Sequence, residues 1–339
     1  MRSQFFFQQL VTIRGAPMTT MRVAQLHGYG PPDMIKIGTA PVPRPKAGQV
    51  LVRVRATTVN GGEVWMRAGR LRLMSGSRFP KGLGIDVAGE VAELGDGVTD
   101  MTVGERVWGS LDSKKMVLSQ AAAGATAEYV AVDAARLAPM PDGATFDGAA
   151  ALLVGITAFT ALRDKARVRP GERLLVRGGT GGVGYVGVEL GRAFGARVTT
   201  LVSAANLEVA GELGADVALD YRSIGPDDLG RFDVIFDTVG TRMNDYRRLL
   251  APGGRMVSIM VNPPLRGFAA VLASVIHGGR RIRAFSGNPT RALLIDYARY
   301  IESGQLRPLI ADTYRLEQTA AAHEAIESGG RPGKHVILP

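Results

Sequence analysis

The 339-residue chain contains no cysteine, which rules out disulfides and thiolate metal ligands and leaves nothing pointing to an oxidising compartment. Histidine is almost as scarce. The four, His27, His277, His323 and His335, lie far apart without ligand spacing. A zinc site is therefore not expected, and each histidine reads as a surface or packing residue, His323 within a helical pattern. Long hydrophobic runs are missing too: 149–158 and 268–276 fall short of the roughly 18 consecutive apolar residues that a membrane-crossing helix requires and read as buried helices. The net charge of +10 carries no aromatic platform for bases, since Arg247-Arg248 and Arg280-Arg281-x-Arg283 are short and isolated. It reads as a solvated basic surface that also attracts an anionic cofactor, so neither a nucleic acid nor a membrane is an expected partner. Cytoplasmic is the expected location.

What the chain has in abundance is glycine, and one cluster of it is informative. Arg173-Leu174-Leu175-Val176-Arg177-Gly178-Gly179-Thr180-Gly181-Gly182-Val183-Gly184 reads as a buried strand, a glycine turn and the first turn of a helix. Gly179-x-Gly181-x-x-Gly184 fits the dinucleotide fingerprint. Its first glycine makes the tight turn, its second lets the backbone approach a pyrophosphate, and its third allows close helix–strand packing. Thr180, Gly182 and Val183 complete the cradle, and the free N–H groups at the helix start face the phosphates. The alternative, a glycine-rich surface loop, lacks the flanking strand and the helical apolar spacing seen over 183–194.

A second absence bears on which dinucleotide binds. The strand 197–202 runs into Ser203-Ala204-Ala205-Asn206 with no Asp or Glu, where an NAD site places a carboxylate for the ribose 2′-hydroxyl. A small Ser203 leaves room for a 2′-phosphate and nothing repels it, so NADP(H) is the expected cofactor. Ser203 also suits the N-cap of the following helix. No Arg or Lys follows it directly.

Along the chain, 1–20 reads as an extension outside the fold; it has Arg2 and Arg14 without acids, as a transit peptide would, but little serine. Strands are expected at 22–26, 50–59, 86–93 and 106–108, separated by Gly/Pro turns, and form a compact β-rich domain. The texture turns helical over 146–163. Strands at 173–176, 197–202, 217–220, 233–239, 255–261 and 281–285 then alternate with helices, which implies a parallel, doubly wound sheet. Helices at 289–303 and 316–328 and a strand at 336–338 form a tail too short to fold alone. It is expected to return to the first domain, giving a β-rich domain of 21–145 plus 287–339 around a dinucleotide-binding domain of 146–286.

Several phrases together resemble the medium-chain dehydrogenase/reductase superfamily, in its zinc-free quinone oxidoreductase (zeta-crystallin-like) branch. They are Val59-Asn60-Gly61-Gly62-Glu63 with Arg67 and Gly69, Gly84-Ile85-Asp86-Val87-Ala88-Gly89-Glu90-Val91, Gly104-Glu105-Arg106-Val107, Ala127-Glu128-Tyr129-Val130 and the glycine run. The stretch 155–161, Leu213-Gly214-Ala215-Asp216, Asp237-Thr238-Val239-Gly240 and Gly333-Lys334-His335-Val336 complete the set. The resemblance spans about residues 21–339. It implies an α/β chain with a doubly wound parallel Rossmann sheet plus a discontinuous, β-rich, GroES-like catalytic domain. Zinc-dependent members carry a cysteine near Asn60 and Gly-His-Glu at 84–86; this chain has neither.

The resemblance further implies that Asn60 contacts the nicotinamide or its ribose, that Thr157 lies beside the carboxamide, and that Tyr221 helps hold the 2′-phosphate. Val239, Gly240, Ser258 and Val261 would flank the nicotinamide, and Lys334 would join the cofactor site. A lysine often found in the phosphate site is replaced near Asn206, and a tyrosine often found at the active-site mouth is here Trp65. Read as residues alone, Asn60 also suits a turn before two glycines, Trp65 a buried core position, and Tyr221 a surface one. No metal site is implied. A homodimer joined through 281–286 is, with a small-molecule substrate, the expected partner set.

The function expected is NADPH-dependent, metal-independent hydride transfer to a quinone or the β-carbon of an α,β-unsaturated carbonyl. Backbone N–H groups or a bound water are the expected hydrogen-bond donors to the acceptor oxygen. Enoyl-thioester reduction and zinc-free alcohol or ketone reduction are the alternatives within enzymes; a cofactor-binding scaffold or nucleic-acid-binding protein without turnover is the alternative of another class.

Overall fold

The structure, a computed structural model, describes residues 20–112, 124–260, 282–284 and 289–339. Strands β1 (Thr20–Leu26) and β2 (Ile35–Pro41) pair antiparallel. The long β3 (Gln49–Thr58) alternates in sequence, so Val50, Val52 and Val54 all point into one core. After β4 (Lys81–Gly82), which pairs with β1, come β5 (Asp86–Leu94), β6 (Arg106–Ser110), β7 (Tyr129–Asp133) and β8 (Leu137–Pro139). Val87, Val91, Val107 and Val130 from β5, β6 and β7 close over the β3 valines.

The helical stretch begins at Phe146–Leu153, capped by Thr145, whose hydroxyl accepts from the Gly148 amide at 3.2 Å. It resumes at Ile156–Phe159 and widens into π geometry over Thr160–Ala166. The continuous helical run Phe146–Ala166, 21 residues, is long and apolar enough to cross a membrane, contrary to the sequence expectation that no segment reaches that length. Its most apolar window is 67% buried inside the protein. The Tyr297 hydroxyl donates to the Leu152 carbonyl at 2.9 Å, and the Tyr297 ring stacks on Trp108 of β6 and against Phe159. This helix is thus the spine joining the two halves.

The cofactor half comprises β9 (Arg173–Arg177), β10 (Arg197–Val202), β11 (Val217–Asp220), β12 (Phe232–Asp237), β13 (Leu250–Ser258) and β14 (Ile282–Ala284). Their order is β11-β10-β9-β12-β13-β14 with every pairing parallel, the 3-2-1-4-5-6 arrangement of a dinucleotide fold. Leu174 and Val176 enter one core while Leu175 enters another. Both faces of β9 are therefore covered, which is why its sequence is continuously apolar. β12 and β13 end at Asp237 and Ser258, short of the expected 239 and 261.

The tail adds a helix, Arg291–Glu302, then β15 (Ile310–Arg315), a helix, Thr319–Ser328, and β16 (Lys334–Leu338). β16 pairs antiparallel with β3, Val336 opposite Thr58 and Ile337 opposite Thr57, in the order β15-β16-β3-β5-β6-β8. The C-terminus thereby returns to the first half and sets Lys334 beside the segment that leaves β3.

Candidate active site

The chain leaves β9 at Arg177 and turns at Gly178, whose φ of +74° is in the left-handed region. The tight turn thus falls one residue before Gly179, to which the fingerprint assigned it. Gly179 is required for a different reason: a Cβ there would sit 1.8 Å from Thr200 Oγ1. The helix Gly184–Ala193 starts so close to the turn that a Cβ on Gly184 would lie 1.9 Å from the Gly178 carbonyl oxygen. A Cβ on Gly181 would meet only that oxygen, at 3.4 Å. The amides of Thr180, Gly182 and Val183 have no acceptor among the described residues. Unpaired amides over open space at a helix start fit a dinucleotide pyrophosphate.

Ser203, just past β10, and Tyr221, just past β11, are neighbours because the Tyr221 amide donates to the Val202 carbonyl at 3.0 Å. Ser203 occupies the cap position of the next helical turn, yet its side chain makes no capping bond. Tyr221 is 50% exposed, a surface position, and its ring lies 5.6 Å from the Arg222 guanidinium carbon. Arg222, the cation beside Tyr221, thus comes from the segment after β11 rather than from the residues following Ser203. Asn206 is buried beneath the glycine loop, donating to Thr180 Oγ1 at 3.3 Å and the Gly330 carbonyl at 3.4 Å.

The loop after β12 is built on a buried ion pair. Arg177 Nη1 donates to Asp237 Oδ1 at 2.8 Å and to the Thr241 carbonyl at 2.8 Å, with its guanidinium 3.6 Å from the centre of the Tyr246 ring. Asp237 Oδ1 in turn accepts the amides of Val239 and Gly240, each at 3.1 Å. Ser258 is fully buried, and its hydroxyl donates to the Met260 carbonyl at 2.7 Å. Its side chain thus serves the protein interior. Val261 lies outside the described residues, as do His277, Arg281, Phe285 and Ser286.

A cleft between the halves is lined by Asn60, Asp86, Ser110, Thr157, Ile85, Leu111, Leu153, Val154, Ile156 and Pro289. It brings Asn60 and Thr157 together. Asn60 precedes the helix Gly61–Arg67, and both hydrogens of its side-chain amide are taken. Nδ2 donates to Asp86 Oδ2 at 2.8 Å and Glu63 Oε1 at 3.2 Å, while Oδ1 accepts from Lys334 Nζ at 2.7 Å. Thr58 donates its hydroxyl to the same Asp86 oxygen, and Gly84 gives its amide to Glu63 Oε2 at 3.0 Å. Lys334, expected in the cofactor site, is buried and also donates to the Val59 carbonyl at 2.8 Å; its methylenes pass against Gly182, where a Cβ would meet Lys334 Cδ at 2.8 Å. The lysine therefore links the glycine loop to Asn60 from below. Trp65 is half-buried, with Arg70 5.6 Å from its ring centre, so it is not a core tryptophan.

Burial, reinforced by Asp86, pushes the Glu63 carboxyl up to about 7, and burial lowers the Lys334 ammonium. Glu63 stays neutral in the folded protein where the unfolded chain ionises. Its contribution to stability is therefore present at pH 4 and lost as pH rises from about 4.5 to about 7. Urea unfolding of Glu63→Gln is expected to lack this slope, gaining about 3 kcal/mol on the parent between pH 4 and pH 8. Parallel pH profiles of the two proteins would contradict the assignment. His323 is pushed down to about 3 by burial and by Arg67, so it is an uncharged packing residue.

Among the described residues, no three His, Asp or Glu side chains gather as a metal ion requires. Sequence reasoning quoted Glu63 and Asp86 as motif letters without a role and passed over Ser110. The spacing Asn60-x-x-Glu63 across a helix start was the one available signal for Glu63, and nothing local marked Ser110.

The chain matches the alcohol dehydrogenase GroES-like domain family over residues 46–142 and the zinc-binding dehydrogenase family over 213–337. A 2-methylene-furan-3-one reductase of Solanum lycopersicum is 33% identical over 320 residues, 92% of this chain and 77% of that protein. A chloroplastic NADPH-dependent alkenal/one oxidoreductase of Arabidopsis thaliana is 31% identical, covering 92% and 78%. The structure of a quinone oxidoreductase from Coxiella burnetii superposes with a TM-score of 0.84 at 26% identity, covering 94% of this chain and 99% of that one. With the glycine cradle, the interdomain cleft and these relatives in agreement, the chain belongs to the medium-chain dehydrogenase/reductase superfamily, in its quinone oxidoreductase-like branch.

Proposed function

We propose that this protein is an NADPH-dependent, metal-independent oxidoreductase that delivers hydride to a quinone or to the β-carbon of an α,β-unsaturated carbonyl. The observation that carries the reading is the cleft. It gathers two hydroxyls, one carboxylate and Asn60, which Lys334 ties to the glycine cradle, and among the described residues no cysteine or histidine lines it to hold zinc. NADPH, when bound, supplies the hydride. The amides of Thr180, Gly182 and Val183 bind its pyrophosphate, and Ser203, Tyr221 and Arg222 receive the 2′-phosphate. Val239 and Gly240, held by Asp237, border the nicotinamide. Because both Asn60 N–H bonds are taken, Asn60 faces the cofactor as an acceptor through Oδ1, suited to a ribose hydroxyl. The apolar lining, Ile85, Leu111, Leu153 and Ile156, keeps water from the acceptor.

The same reading takes the chain as a cytoplasmic homodimer. Among the described residues β14 is the last strand in the order of its sheet, and a terminal strand is where a second copy would extend the sheet. Steady-state assays with 9,10-phenanthrenequinone and a simple enone test the function. NADPH is expected to be consumed with either acceptor, undiminished by a chelator and faster than NADH. Absence of turnover with both acceptors, or loss of turnover on chelation, contradicts it.

A further inference from the structure

Charge develops on the acceptor oxygen as hydride arrives, and a preformed donor aimed at that oxygen is the largest help a protein can give. Asn60 cannot be that donor, since Asp86 and Glu63 take both its hydrogens. Asp86 accepts bonds from Thr58 and Asn60, and the remaining side chains other than Ser110 and Thr157 are apolar. The Leu111 amide is spent on the Ile85 carbonyl at 2.8 Å.

Two hydroxyls remain. Neither Ser110 nor Thr157 makes a side-chain hydrogen bond among the described residues, although Ser110 is only 6% exposed. The Ser110 oxygen is not among the fully enclosed unpaired side-chain atoms, so it opens onto the cleft, free to bind what enters there. Ser110 is the last residue of β6, held opposite Asp86 by the β5–β6 ladder, so its hydroxyl has a fixed place across the cleft from Thr157. The Asp86 charge beside it is held by Thr58 and Asn60, and Lys334 reaches the same cluster through Asn60.

Resting on the reductase reading above, with Thr157 beside the carboxamide as the family resemblance implies, we propose that the Ser110 hydroxyl is the catalytic hydrogen-bond donor to the acceptor's carbonyl oxygen. For an enone, hydride adds to the β-carbon and forms the new C–H bond. The C=C π pair shifts to make the enolate, whose oxygen bears the negative charge, and NADPH leaves as NADP⁺. Ser110 keeps its proton throughout, its bond to the oxygen shortening as charge builds. The enolate then takes a proton from solvent at the α-carbon, so one enone, one NADPH and one proton give one saturated ketone and one NADP⁺.

Ser110→Ala and Ser110→Thr, assayed beside the parent protein with 9,10-phenanthrenequinone and a simple enone, test the assignment. Ser110→Ala is expected to lower kcat by about 10- to 100-fold, with the acceptor KM and the calorimetric NADPH Kd each within about twofold of the parent. Ser110→Thr, which keeps the hydroxyl, is expected to recover most of kcat. Parental kcat in Ser110→Ala overturns the assignment and leaves the reductase reading standing. A fall in kcat accompanied by lost NADPH binding, or one that threonine does not rescue, also overturns it, because either marks a structural role. Failure of the parent protein to turn over either acceptor overturns the reductase reading and this assignment together.

Discussion

Gly184→Ala is expected to weaken NADPH binding by at least about 100-fold and to destabilise the cofactor half. The added Cβ would stand 1.9 Å from the Gly178 carbonyl oxygen, 2.8 Å from its carbon and 3.1 Å from Gly179 Cα. All three are backbone atoms at the turn itself, so no side chain can swing aside. The helix must retreat from β9 or the turn must open, and overpacking of this kind costs about 1–3 kcal/mol or more. Movement of either element takes the Gly182 and Val183 amides away from the pyrophosphate. Gly181→Ala separates the two effects. Its Cβ has room in the free protein but occupies the space the phosphates need, so it is expected to melt like the parent while binding NADPH poorly. Calorimetric titration and thermal melting of both variants check this. Gly184→Ala with parental affinity would mean that the cradle is not built as described.

Asp237→Ala is the second large effect. The carboxylate is fully buried, pairs with Arg177 and anchors the Val239 and Gly240 amides. Removing it leaves a buried guanidinium uncompensated and two amides without their acceptor, a loss of about 3–5 kcal/mol. Urea unfolding is expected to show a lower midpoint by that amount. Asp237→Asn, which keeps one acceptor oxygen but loses the charge, is expected to fall between the two. A midpoint within about 0.5 kcal/mol of the parent for Asp237→Ala would show that the pair contributes nothing net, as many exposed ion pairs do.

The parts legible in sequence were those whose physics is local. Leu174-Leu175-Val176 before the glycines reads as a strand covered on both faces, and the close approach at Gly184 follows from the fingerprint's spacing. The tail from 289 onward read as too short to fold alone, and its last strand, β16, pairs with β3. What stayed hidden depends on contacts across long separations. Lys334 reaches Asn60 over 274 positions, so nothing near either residue announces that the lysine is a buried support. Arg222, beside Tyr221, follows β11, which pairs in parallel with β10 and sets Asp220 opposite Val202, so nothing in the residues after Ser203 announces it. Ser110 was illegible for the same reason: only the ladder that places it opposite Asp86 gives it a role. The turn at Gly178 in place of Gly179 was a one-residue error of register, decided by how closely Thr200 on β10 approaches.

The account turns on hydride passing from a reduced nicotinamide in this cleft to carbon or a quinone, and isotope tracing reads that transfer directly. Turnover of a simple enone with NADPH carrying deuterium at both C4 positions, followed by mass spectrometry of the ketone, is predicted to place one deuterium at the β-carbon with chelator present. A reduced product without the label, or no reduced product at all, would contradict it.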